Sequence, residues 1–378
     1  MTRPNPTGPL RVRAARLHDG TAVQPGGVLV TEGGRVAAVE PAGSPADVDL
    51  GSWTLVPGFV DVHAHGGGGA SFADDPAAAL ATHRRHGTTS SVASLVSQSL
   101  DTLEAQVRTL APLVAAGELA GVHLEGPWLA PGRKGAHPAD QLRAPAPADV
   151  ARLLDAGAGA VRMVTLAPEL EGGLAAVGLI AGRGLVVAIG HTDAPAEVVA
   201  RAIGAGATGA THLFNAMPPL HHRHPGPVLA LLADDRVWLE LVCDGVHLDP
   251  ALVAYLVRQH PGRVVFVTDA IAAAGSPDGA YRLGDLPVEV TGGVARIAGT
   301  DTIAGSTLTL DAALRTAIAA GVDWAVAVRA ATANPAAYLR LAEVGALVPG
   351  AWADAVALDA DWRVRAVLRR GAWVVPPR

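Results

Sequence analysis

One alternation constrains this chain more than any other feature. Eight short apolar runs, at residues 56–62, 88–96, 121–124, 161–166, 185–189, 206–211, 237–242 and 264–268, are separated by longer stretches of helical spacing. Helix-compatible segments occupy 76–86, 101–116, 148–156, 195–203 and 250–260, with proline or aspartate near several starts. Proline loses nothing at a helix start, where its missing N–H would have had no partner, and aspartate can cap the free N–H groups there. Strands that are apolar throughout are buried on both faces, as in a parallel sheet clothed by helices. Eight β/α units in roughly 250 residues predict an α/β fold built as a TIM (β/α)8 barrel. An open doubly wound sheet is the alternative. Neither a Gly-x-Gly-x-x-Gly after the first strand nor a Walker-type loop is present to favour a nucleotide fold.

Both ends of the chain read differently. Short β-like segments at 10–17, 27–31, 35–39 and 53–56 are separated by turn residues such as Asp19-Gly20 and Gly33-Gly34. The far end repeats the style at 355–358, 364–368 and 373–375. The expectation is a small β-sandwich domain built from residues 1–55 and 346–378, flanking a barrel at 56–345.

Composition narrows the function. Half the residues are hydrophobic, the net charge is -6, and no basic run exceeds Arg84-Arg85 or Arg369-Arg370, so nucleic acid is not an expected partner. Cys243 is the single cysteine, so no intrachain disulfide can form, which fits a reducing cytoplasm. Residues 1–9 are polar and proline-rich, without the apolar centre of a signal peptide, and no run approaches the ~20 apolar residues of a membrane span. No membrane partner is therefore expected. The only lysine, Lys134, lies in a loop, so no strand lysine is available for carbamylation, and any carboxylate bridging two metal ions must be Asp or Glu.

Active sites of TIM barrels sit at the C-terminal ends of the strands. Those ends are unusually polar here. The first carries His63 and His65, two apart and therefore on one side of an extended strand, a ready pair of metal ligands. Glu125, His191, His212, the pair Asp244 and His247, and Asp269 close the third, fifth, sixth, seventh and eighth. Imidazoles with carboxylates suit a divalent transition metal such as zinc or iron. Other polar residues have blander readings. His123, deeper on the third strand, is expected to be a hydrogen-bonded core residue. His83 and His86 are expected on an exposed helix face, His221, His222 and His224 on a solvated loop, and Cys243 as a buried small hydrophobe.

These residues sit in motifs that give the chain a resemblance. Pro57 to Gly66 (PGFVDVHAHG), His123 to Trp128 (HLEGPW), Gly190-His191-Thr192, Thr211 to Met217 (THLFNAM), Asp244 to His247 (DGVH) and Thr268-Asp269-Ala270 follow in order, with Leu166 to Glu169 and Ile303 to Ser306. The chain resembles the amidohydrolase superfamily and, within it, the N-acetylglucosamine-6-phosphate deacetylase family. The resemblance implies hydrolysis of the acetamide of N-acetyl-D-glucosamine 6-phosphate to D-glucosamine 6-phosphate and acetate, in amino-sugar catabolism and cell-wall sugar recycling. It implies Glu125, His191 and His212 as the main metal ligands, His63 and His65 as holders of a second ion, and one or two ions per chain. Asp269 would be the general acid/base, and His247 would support the carbonyl oxygen. Ala136, His137, Asn215, Ala216, Arg223 and His247 would contact sugar and phosphate, and Ile303, Ala304 and Gly305 would line the pocket. The family also implies a homodimer in which Arg223 reaches the neighbouring subunit's substrate. Another amide hydrolase or a deaminase on the same scaffold is the alternative activity. A scaffold without chemistry is a further one, weakened because every candidate ligand position is filled.

Overall fold

The computed structural model describes residues 9–378, so the first eight residues of the expected N-terminal β segment lie outside the described residues. Eight parallel strands form one sheet: Phe59–Ala64, Thr88–Val96, Gly121–Glu125, Val161–Leu166, Val186–Ile189, Gly209–Ala210, Trp238–Val242 and Val264–Val267. Each pairs with its neighbours in chain order. A parallel bridge between Ala64 and Ala270 brings the last strand back to the first, so the sheet curls into the expected barrel. Every residue of the first, second, third, fifth and eighth strands is buried, as a sheet covered on both faces demands. Asp61 helps close the seam: its Oδ2 accepts the Thr268 hydroxyl at 2.6 Å, and its Oδ1 accepts the backbone N–H groups of Thr268 and His63 at 3.3 Å.

The first strand starts later than the apolar run suggests. Thr54–Pro57 belongs to another sheet, between Arg16–His18 and Ala355–Leu358. The break falls at Gly58, whose N–H donates to the Asp354 carbonyl at 2.8 Å. A Cβ there would lie 2.1 Å from the Thr89 hydroxyl oxygen, so only glycine lets the chain cross from one sheet to the other. The sixth strand is the shortest, two residues where the sequence predicts six.

Capping sets the helix starts. Asp75 accepts from the Ala78 N–H ahead of Pro76–Arg85, Ser99 from Thr102 ahead of Leu100–Ala115, and Asp249 from Ala251 ahead of Pro250–Gln259. The expectation for His83 is overturned. It is fully buried, stacks on Phe72 at 6.3 Å, and donates from Nε2 to the Gly66 carbonyl at 2.8 Å. Its helix face packs against the glycine-rich loop after the first strand rather than facing solvent. His86 lies half-exposed, beside Asp311.

After the eighth strand the chain makes an antiparallel insertion, Gly279–Leu283, Leu286–Thr291 and Val294–Ile297, which the barrel reading does not anticipate. Its buried face (Leu283, Val288, Val290, Ala295) packs on Val96, Ala136 and Ile271 beside the barrel mouth. The chain ends build a four-stranded and a six-stranded sheet around a separate core that includes Val12, Leu17, Leu29, Leu55 and Leu368. The run 10–17 contributes to both sheets, as Leu10–Ala14 and Arg16–His18. Among the described residues, no helix is long and apolar enough to cross a membrane.

Candidate metal centre and active site

The strand ends converge on one mouth. His63 and His65 leave the first strand on the same side, their Nε2 atoms 3.3 Å apart. Glu125, from the third strand, stands between two groups of imidazoles. Its Oε1 lies 3.2 Å from His191 Nε2 and 3.0 Å from His212 Nε2, while its Oε2 lies 3.1 Å from His65 Nε2 and 3.5 Å from His63 Nε2. Asp269 Oδ1 completes the second group, 3.2 Å from His65 Nε2 and 3.5 Å from His63 Nε2. These side chains are buried, so the groups face one another rather than water.

The histidine tautomers follow from their outward bonds. His65 Nδ1 donates to the Ser94 carbonyl at 3.1 Å, His191 Nδ1 to the Arg133 carbonyl at 2.8 Å, and His63 Nδ1 to Glu240 Oε2 at 3.1 Å. With Nδ1 carrying the proton, each neutral ring turns an Nε2 lone pair inward. Lone pairs and carboxylates packed face to face repel unless a cation sits among them. Donor separations of 3.0–3.5 Å also match the edge of about 3.4 Å of a tetrahedron of ligands around zinc. Glu125, His191 and His212 form one such donor group, and His63, His65, Glu125 and Asp269 form another. The donor set fits a divalent metal, with Glu125 common to both groups.

Three of these side chains sit on strained backbone. His191, His212 and Asp269 have φ of 48°, 28° and 49°, in the left-handed region that non-glycine residues avoid at a cost of about 1–3 kcal/mol each. The turn swings each side chain across the mouth at the point where its strand ends. Gly305 also has a positive φ, 59°, and a Cβ there would lie 2.8 Å from the Asp269 carbonyl oxygen. The loop at Ile303 to Gly305 is therefore pressed against Asp269, and Ser306 holds it through its N–H to the same carbonyl at 2.7 Å.

Electrostatics separates the remaining roles. Burial alone would raise the Asp269 carboxyl, but positive charge opposite it holds it below the usual carboxylate range: with no ion bound, His63 and His65 are themselves raised and carry Nε2 protons in the place a cation would take. The carboxyl is ionised at neutral pH. Burial would lower His247, yet the Asp244 carboxylate, 2.7 Å from its Nδ1, raises it instead. His247 is thereby a ready proton donor to an oxygen. Burial drives His137 down to about 4. Its Nδ1 accepts the Ser97 N–H at 3.2 Å, which leaves an Nε2–H donor pointing towards Glu125 rather than a ligand lone pair.

A cavity of about 390 Å³ opens on this cluster. His65, Glu125, His191, His212, His247 and Asp269 line it, together with Ala136, His137, Asn215, Ala216, Ile303 and Gly305. His63 lies behind the wall, and Ala304, expected to line the pocket, is buried within its loop and does not. Arg223 is not brought to this cavity within its own chain. It is exposed, with a guanidinium nitrogen 2.7 Å from His222 Nε2, beside His221 and His224 on the loop the sequence predicts to be solvated. His123 is a core residue as expected, bridging the Ser94 and Thr165 hydroxyls at 2.9 and 2.8 Å. Cys243 is buried. Sequence reading overlooked Glu240, fully buried and bonded to His63, although a glutamate inside the apolar strand WLELV is itself a visible signal.

A parallel barrel carrying this donor set at its mouth is the architecture of a hydrolytic metalloenzyme. The sequence pattern of the amidohydrolase family matches residues 54–374, and the chain belongs to that family. It is 38% identical over 349 residues to an N-acetylgalactosamine-6-phosphate deacetylase of Escherichia coli O157:H7, covering 89% of this chain and 92% of that protein. The human N-acetylglucosamine-6-phosphate deacetylase is also 38% identical, over 348 residues, 86% of this chain and 84% of that one. Among solved structures, a variant N-acetyl-D-glucosamine-6-phosphate deacetylase of Mycobacterium smegmatis, in complex with N-acetyl-D-glucosamine-6-phosphate, is similar with a TM-score of 0.95 at 48% identity. That match covers 98% of this chain and 100% of the other.

Proposed function

We propose that this chain hydrolyses the acetamide of N-acetyl-D-glucosamine 6-phosphate, giving D-glucosamine 6-phosphate and acetate. The observation that carries the reading is Glu125 held between two imidazole pairs, with an ionised Asp269 beside it, at the mouth of a cavity sized for a small ligand. Relatives that share most of the chain's length are named for deacetylating phosphorylated amino sugars, which supports the substrate class.

Glu125, His191 and His212 would hold one zinc or iron ion, and His63 and His65 a second with Glu125 between them. When bound, a divalent ion supplies Lewis acidity, polarising a carbonyl and acidifying a neighbouring water. The chain's own groups do the rest. Asp269, ionised at neutral pH, orients the attacking water and takes its proton. His247, raised by Asp244, donates to the acetyl oxygen as it gains charge. Asp269 then passes its proton to the departing nitrogen, serving as base first and acid second. His137, with Asn215 and Ala216 by their backbone, lines the cavity and would contact the sugar. Ile303 and Gly305 bound the cavity, and burial among these walls excludes bulk water.

Phosphate recognition falls to Arg223, whose guanidinium fork suits phosphate oxygens. Since Arg223 stands clear of its own cavity, it would act on the site of a second copy, in a cytoplasmic homodimer. The terminal sheets would form the small domain beside the barrel. The test is acetate release from N-acetylglucosamine 6-phosphate, its unphosphorylated form, and the galacto epimer. The reading requires the phosphorylated gluco sugar to be turned over fastest. A preference for the unphosphorylated sugar would defeat it, and a preference for the galacto epimer would move the assignment to the other named relative.

A further inference from the structure

Glu240 occupies the middle of the seventh barrel strand and is fully buried. A carboxylate there is costly unless its lone pairs are satisfied. No lysine or arginine pairs with it among the described residues. Its partners are a histidine, a backbone amide and a phenol. Oε2 accepts His63 Nδ1–H at 3.1 Å and, more weakly, the His212 N–H at 3.4 Å, and Oε1 accepts the Tyr338 hydroxyl at 3.2 Å.

Tyr338 closes the helix Ala333–Tyr338 and is almost completely buried. Its phenol reaches Glu240 only because the sixth strand has no side chain in the way. A Cβ on Gly209 would lie 1.8 Å from the Tyr338 hydroxyl oxygen. Three elements thus agree on one contact: a glycine clears the path, a tyrosine fills it, and a glutamate receives the hydroxyl.

The consequence falls on His63. Its Nδ1 is committed to Glu240, so its Nε2 lone pair faces Glu125 and Asp269. The other two outward-bonded histidines of the centre, His65 and His191, are oriented by backbone carbonyls. His63 alone has a carboxylate behind it, which makes the imidazole a stronger donor as well as fixing its tautomer. We propose that Glu240, held by Tyr338, is a positioning residue that builds the His63 side of the centre, so that the second ion, but not the first, depends on it.

This inference rests on the metal-dependent reading above, and the test separates the two. The metal-free protein is titrated with Co(II), following both binding affinity and the visible spectrum of each bound ion. The wild type should take two equivalents. Glu240→Gln should leave the first within about twofold and weaken the second by ~10–100-fold. Tyr338→Phe, which removes only one oxygen, should weaken the second ion in the same direction by a smaller factor. It decides the matter alone should Glu240→Gln fail to fold. Glu240→Asp should recover part of the second affinity. A merely structural carboxylate would weaken both ions together, and that result overturns the proposal. So does an undisturbed second ion in a folded variant, or a wild type that holds a single ion. A wild type that binds no ion and still releases acetate defeats the metal-dependent reading itself, and this inference with it.

Discussion

Glu125 presents one oxygen to His191 and His212 and the other to His65 and His63. Replacing one oxygen by an amide disturbs both groups. Glu125→Gln should therefore lose more bound metal than His63→Asn, checked by elemental analysis of the purified proteins. Asp269 has the opposite profile. Asp269→Asn should keep its fold and the ion held by Glu125, His191 and His212 while kcat falls by about 10²–10⁴-fold, and the rate should lose its decline at acid pH. Near-normal turnover would make Asp269 structural. Cys243 is a negative control at this scale. Burial, with the charge of Asp244, pushes its thiol up to about 12. The reactive thiolate is then scarce at pH 8. Iodoacetamide should leave the native protein unlabelled and label it once unfolded in urea.

Elements were read well where local chemistry sets them. Aspartates stand at predicted helix starts, and Asp75 and Asp249 cap theirs in the structure, while the helix predicted from 101 begins at Leu100 under a Ser99 cap. The antiparallel insertion went unread, although its strands alternate and Gly284-Asp285 and Gly292-Gly293 stand at its turns. It follows the eighth strand where a barrel helix is due, and the barrel pattern masked it. One helix offers a stability test. Asp311, in the first turn of Leu310–Ala319, accepts from His86, Thr309 and Arg315 at 3.1, 2.6 and 2.7 Å. Burial would raise its carboxyl, but these bonds hold it below the usual range. A depressed folded pKa means the stabilisation is present above the unfolded value near 4 and drains away as pH falls below it. Asp311→Asn should cost about 2 kcal/mol at pH 7. Urea unfolding should show the gap to wild type narrowing below about pH 4.

Across the whole molecule, the position of Arg223 gives a test of assembly. It lies exposed on the loop after His212, outside the cavity its own chain forms. If it serves a partner's site, mixing two defective proteins should restore activity. Arg223→Ala alone should mainly raise KM for the phosphorylated sugar, since it removes binding remote from the carbonyl. Combined with Asp269→Asn and allowed to exchange subunits, about half the dimers would be mixed, each with one intact and one doubly defective site. Roughly a quarter of all sites should then recover. Confirmed exchange without recovery would return Arg223 to its own chain or to no role.

What the sequence determined by itself is local and periodic. The apolar runs, the caps and the polar residues at strand ends are readable because strands and helices impose periods of 2 and 3.6 on side-chain direction. The barrel and its polar rim follow from those periods. What the tertiary structure decided is which distant residues meet. His83 is buried because its helix packs on the loop after His65, and the apolar run at 56–62 divides at Gly58, where Thr89 leaves no room for a side chain. Glu240 meets His63 across 177 positions of chain and Tyr338 across 98. No local period encodes such a meeting. Only the closure of the barrel brings those three side chains within hydrogen-bond distance.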